Sequence, residues 1–214
     1  MTTSSNRFAA HLSAGPLRWL RQLRWQMRRP RDLKRLGAAS RIMPPLRRVN
    51  AHCIEIGDRV VIGRNCLLQP LTAYLNQRFS PRLLIGDDCY VGPDCQFHCI
   101  DRIELGRGCV LSDQVYVSDV GHGMDPRAGL IMDQAVYSKG PVVMGDHCFV
   151  GFGAVVLSGV RLGDHCVVGA RSVVTRSVPA HTMVAGNPAR AIARFSTDSG
   201  RWERISGNLE APLS

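Results

Sequence analysis

The residues best suited to chemistry crowd one stretch, SDVGHGMDPRAGLIMDQAVYSKGP from Ser118 to Pro141, which holds Asp119, His122, Asp125 and Asp133. An imidazole titrating close to about pH 7 can take the proton of an alcohol as that alcohol attacks a carbonyl. A lysine would be protonated there, and a carboxylate is usually too weak a base. Taken alone, a histidine in a glycine-rich loop is more often a solvated surface group. Its weight depends on what holds the loop.

What holds it is a repeat of six. Met144, Val150, Val156, Leu162, Val168 and Val174 run in unbroken register, and Gly145, Gly151, Gly163 and Gly169 follow four of them. IGDRVV at Ile56, IGRNCL at Ile62, IGDDCY at Ile85, VGPDCQ at Val91, LGRGCV at Leu105 and LSDQVY at Leu111 repeat the pattern earlier, with slips of register that mark insertions. Six is a strand-and-turn period: a short extended segment sends alternate side chains inward, and a glycine-bearing corner turns the chain through angles that branched residues resist. Three such units make one triangular coil, and coils bond edge to edge at roughly 4.8 Å. The expected architecture is an all-β parallel β-helix over residues 51–195, interrupted by the loop 118–141.

The fifth position of each unit should also point inward, where a small side chain fits. It is Val60, Cys66, Cys89, Cys95, Cys109, Val115, Cys148, Ala154, Val160, Cys166 and Ser172. Six of the eight cysteines therefore read as compact hydrophobes of the core, and Cys99 fits the same lattice. Spread one per coil edge, they lack the close pairing of a metal site, so no metal is expected. Met1 to Gly15 lacks the compact apolar stretch of a secretory signal, so disulfides are not expected and a reducing cytoplasm suits the thiols.

The net charge of +10 is uneven. Residues 1–50 carry twelve Lys and Arg against Asp32 alone, while the remainder has 15 basic and 16 acidic groups. The basic balance describes an N-terminal arm, partly helical, and not a nucleic-acid groove over the whole molecule. From Pro16 to Arg29 a helical projection gathers Leu17, Trp19, Leu20, Leu23 and Met27 opposite Arg18, Arg21, Arg24, Arg28 and Arg29. Such a helix can lie on an anionic bilayer, giving residues 16–36 a peripheral membrane contact at the inner face, or it can cap the open end of the coil. No apolar run approaches the ~20 residues of a membrane span. Residues 196–214 read as a short packed or frayed tail with Trp202 its large anchor.

From about Ile56 to Phe195 the chain resembles the hexapeptide-repeat acyltransferases, in the branch of sugar and polysaccharide O-acetyltransferases that includes maltose and galactoside acetyltransferases. The coils carry the resemblance, with the Asp-x-x-His entry at Asp119 to His122, the block from Gly145 to Pro179 and the ending VAGNPARAIARF at Val184 to Phe195. It implies a left-handed β-helix, a homotrimer, acetyl-coenzyme A in a groove between subunits, and a sugar or polysaccharide acceptor beside His122 as general base. By the same resemblance Asp119 orients the imidazole or binds an acceptor hydroxyl. Asp125 and Phe149 meet the acceptor, Phe149 standing where the family often has tryptophan. Gly151, Phe152, Ala170, Thr175, Arg176 and Arg190 match the coenzyme-binding positions, with Phe152 replacing a smaller residue.

Surface polysaccharide or lipopolysaccharide biosynthesis is the expected setting. A small-molecule acceptor, such as an antibiotic or a free or nucleotide-linked sugar, and a non-catalytic hexapeptide scaffold are the alternatives. The zinc carbonic anhydrases that share this coil need a close His-x4-His pair, and none flanks His122, His147 or His165.

Overall fold

In a computed structural model that describes residues 30–205, hydrophobic strands two to four residues long turn three times per coil. They stack into three parallel sheets. The first runs Arg35–Leu36, Ile54–Ile56, Arg82–Ile85, Arg102–Leu105, Val142–Met144 and Arg161–Leu162. The second holds Arg41–Ile42, Val61–Ile62, Tyr90–Val91, Val110–Leu111, Phe149–Val150 and Val167–Val168, then closes with Thr182–Gly186, Ala189–Ser196 and Arg201–Arg204. Arg47–Arg48, Leu67–Pro70, Gln96–Cys99, Tyr116–Ser118, Val155–Val156 and Val173–Val174 form the third. The last two strands of the second sheet fold back antiparallel, and Trp202 of the final strand meets Phe195 edge to face at 5.6 Å.

The coil begins earlier than the repeat reveals. Residues 35–48, which sequence alone gives to the basic arm, supply one strand to each sheet and pair in parallel with the coil above. The expected helix over 16–29 lies outside the described residues. No helix among those described is long and apolar enough to cross a membrane.

The core is a column of stacked identical positions. Ile54, Ile56, Ile62, Leu68, Leu83, Phe97, Ile103 and Leu111 are fully buried, each contributing roughly 1.5–3 kcal/mol of apolar burial. Cys66, Cys89, Cys95, Cys109, Cys148 and Cys166 fill the inward corners as the sequence pattern requires. Their thiols point to the next coil: Cys89 Sγ donates to the Gly106 carbonyl at 3.0 Å and Cys109 Sγ to the Gly145 carbonyl at 3.1 Å. Contacts with the neighbouring thiols, which pull in both directions, together with burial push Cys109 and Cys148 up to about 12.

The corners correct one sequence expectation. The repeat glycines do not supply the left-handed backbone; that falls two residues later, at Arg59, Asp88, His147, His165 and Arg171, with φ of 56 to 61°. The glycine is needed for clearance: a Cβ on Gly86 would lie 2.6 Å from the Gly106 carbonyl oxygen of the coil above. The aspartate of Gly-Asp then accepts an amide from the preceding coil, as when Asp146 N donates to Asp164 Oδ1 at 2.8 Å. This local bond repeats along one edge and offsets the cost of the left-handed corner, about 1–2 kcal/mol for a residue with a side chain.

Candidate functional site

Two insertions leave this lattice and meet each other. The longer, from Ser118 to Pro141, opens with Gly121–His122, which pairs antiparallel with Val136–Tyr137 so that His122 stands opposite Val136. Gln134 locks the tip between them: Asp125 N donates to its Oε1 at 3.0 Å, and its Nε2 donates to the carbonyls of Asp125 and Gly129. The shorter insertion forms the hairpin Ala73–Tyr74 and Gln77–Arg78. Its Gln77 side chain clasps Val136 at both polar atoms, donating to the carbonyl at 3.0 Å and accepting the amide at 2.8 Å. Tyr74 Oη donates to the Met132 carbonyl at 2.6 Å.

His122 is half-buried at this junction. Its ring meets that of Tyr74 edge to face, centroids 5.6 Å apart and planes at 85°. Nδ1 is buried without a hydrogen-bond partner, alone in this among the described side chains. An unpaired buried polar atom costs about 1–3 kcal/mol, a cost expected where a group is held for chemistry. Sequence reasoning missed Tyr74 and Gln77, although the break of period between Leu68 and Ile85 marked an insertion there.

Asp119 lies elsewhere than the Asp-x-x-His spacing suggests. Its side chain is fully buried, and its carboxylate accepts the amides of Ile100 at 2.8 Å and Asp101 at 3.0 Å from the coil below. Burial raises its pKa, partly opposed by those amides. No hydrogen bond joins it to His122. The carboxylate anchors the root of the loop to the corner at 100–101.

Asp125 is tied by a bidentate ion pair to Arg127, with Nη2 to Oδ2 at 2.9 Å, which lowers its pKa. Phe149 stands on the outer face of the second sheet between Val110 and Val167, 43% exposed. Gly151 is buried against the next corner, where a Cβ would lie 2.6 Å from Ala170 N. Phe152 takes the guanidinium of Arg171 over its ring at 4.9 Å. Ala170, Thr175 and Arg176 are exposed, and Arg190 is half-buried on the closing hairpin. The turn of that hairpin is bound to the same corner, Gly186 N donating to Ser172 Oγ at 3.1 Å. The residues matched to the coenzyme thus gather on the last coils. No hydrogen bond or ring contact among the described residues links them, or Phe149, to His122.

Four other imidazoles meet aromatic rings on the coil. His147, His165 and His181 stack as one ladder on a corner, at 5.0 and 5.2 Å. His98 is half-buried against Tyr116, and burial lowers its pKa. No group of three or more His, Cys, Asp or Glu among the described residues could hold a metal ion.

Residues 141–176 match the family model described as bacterial transferase hexapeptide (six repeats), and residues 82–118 that described as hexapeptide repeat of succinyl-transferase. Nodulation protein L of Rhizobium leguminosarum bv. viciae is 35% identical over 165 residues, 75% of this chain and 70% of that protein. WcaF of Escherichia coli K12, which carries the name of a colanic acid biosynthesis acetyltransferase, is 31% identical over 131 residues, 61% of this chain and 67% of its own. Across curated relatives the matches span 37 to 70% of the relatives' lengths. Among solved structures, the hexapeptide-repeat containing acetyltransferase VCA0836 of Vibrio cholerae, complexed with acetyl-coenzyme A, superimposes with a TM-score of 0.52. It is 27% identical and covers 77% of this chain and 73% of its own.

Proposed function

The chain belongs to the hexapeptide-repeat acetyltransferase family, and from that premise we propose that it moves an acetyl group from acetyl-coenzyme A to a sugar hydroxyl, with His122 as general base. The observation that carries the reading is the imidazole itself: it is half-buried, braced by two insertions, and has one ring nitrogen enclosed without a partner. With Nδ1 enclosed, Nε2 is the nitrogen left to meet an acceptor.

The acceptor hydroxyl gives its proton to Nε2 as its oxygen bonds to the thioester carbonyl carbon. The resulting tetrahedral oxyanion then expels the coenzyme thiolate, which takes the proton back from the imidazolium. Direct transfer needs no acyl-enzyme, because both substrates can lie side by side. Gly151 and Ala170 give the pantetheine a surface without side-chain bulk, and Arg176 and Arg190 meet the phosphates. Phe149 supplies an apolar wall at the acceptor. Asp119 serves by holding the loop root, and Asp125 reaches an acceptor only through its exposed ion pair with Arg127.

A left-handed coil assembled as a homotrimer fits the surface. Met124, Leu130, Ile131, Met132 and Tyr137 of the loop are exposed, and exposed apolar clusters mark interaction surfaces. A neighbouring copy would cover them. The relative named for colanic acid favours a surface-polysaccharide acceptor at the cytoplasmic side of the membrane. Exposed Arg41 and Arg47 add cationic charge that anionic lipid would favour. Radiolabelled acetyl-coenzyme A offered with a panel of sugar acceptors tests the reading. Label in a saccharide supports it, and label in none of them while small hydroxylated antibiotics are acetylated overturns the choice of acceptor.

A further inference from the structure

We propose that Tyr74 is a positioning residue for His122, and that the hairpin of Ala73–Tyr74 and Gln77–Arg78 sets the imidazole in place. The inference rests on the reading of His122 as general base. The hairpin comes from a different coil, some forty residues earlier in the chain, yet its two Gln77 bonds land on Val136, directly across from that histidine.

Gln77 behaves as an extra rung of the loop's ladder. It satisfies both the amide and the carbonyl of Val136, the residue directly across from His122. Tyr74 Oη fixes the other side of the loop at the Met132 carbonyl, so the phenol ring is held from its far end. That ring, already immobilised, forms the edge-to-face contact with the imidazole. The backbone of His122 is therefore set by Gln77 through Val136, and its ring orientation by Tyr74. No other ring touches it, and it makes no hydrogen bond through its own side chain among the described residues. A base that no hydrogen bond orients depends on packing for its aim.

The closing experiment compares Tyr74→Phe, Tyr74→Ala and Tyr74→Leu with His122→Ala in steady-state kinetics, and follows the His122 ring protons by NMR, assigned through their absence in His122→Ala. The phenylalanine variant keeps the ring and should hold kcat within about fivefold of wild type. Loss of the ring in the alanine and leucine variants should lower kcat about 10- to 100-fold with little change in KM for acetyl-coenzyme A. It should also shift the His122 ring resonances. The leucine variant keeps the site filled if alanine unfolds it. If His122→Ala abolishes transfer while either ring-less variant turns over normally with unshifted His122 resonances, the positioning role is wrong. If His122→Ala itself remains active, the general-base reading fails instead, and the NMR shift alone then decides whether Tyr74 orients the ring.

Discussion

Asp119 and His122 are three positions apart and share no hydrogen bond: the carboxylate of Asp119 is occupied by the amides of Ile100 and Asp101 in the coil below. The aspartate is an anchor for the loop's root, and the imidazole takes its bracing from Tyr74.

Replacing Asp119 with Asn should therefore act on stability first: the one oxygen that remains can serve only one of the two amides, leaving the other without its acceptor at a cost of about 1–3 kcal/mol. Its burial raises the native pKa above the unfolded one, so the native state holds the proton longer. Stability from this group is full below the unfolded carboxylate pKa and declines as pH rises through the native value. Chemical unfolding of both proteins across the acidic range should show the gap between wild type and variant narrowing as pH rises. A gap that widens would contradict the burial argument.

Gln134→Ala should free the loop tip without touching the coil. Limited proteolysis should cut within residues 124–135 faster than in wild type while the thermal midpoint moves little. Equal cleavage rates would show that the three bonds to Gln134 are not what orders the tip.

Gly151→Ala places a methyl against the Ala170 backbone, which has no flexible end to yield. Overpacking of this kind costs about 1–3 kcal/mol, and the variant should also bind coenzyme A more weakly, as calorimetry would show. Unchanged stability and affinity would remove Gly151 from the coenzyme surface.

Thiol reactivity should separate the cysteines. The corner thiols and Cys99 are buried, whereas Cys53 is partly exposed. A native titration with an aromatic disulfide should modify no more than Cys53, and denaturation should release the other seven. Rapid modification of several thiols in the native protein would contradict the packed corners.

The coil was legible because its signal is local and repeated: each hexapeptide from Ile56 to Val174 carries its own inward aliphatic and small corner residue. The first coil was not, because Arg35–Leu36, Arg41–Ile42 and Arg47–Arg48 are held by ladder bonds to the coil above and show solvent mostly arginine. His122 could be singled out as the histidine of the loop that breaks the lattice. Its neighbours could not: Gln77 meets Val136 across 59 residues, and no spacing rule reports a contact between two insertions. Asp119 misled for the opposite reason, since closeness in sequence suggested a partnership that the chain's return to the coil prevents.

The most direct test of the account is the rate of acetyl transfer by His122→Ala to a saccharide that the wild-type protein acetylates, at saturating acetyl-coenzyme A. A loss of about 10²-fold or more with coenzyme affinity retained is the expected result. Turnover within a few-fold of wild type would contradict the assignment of the base.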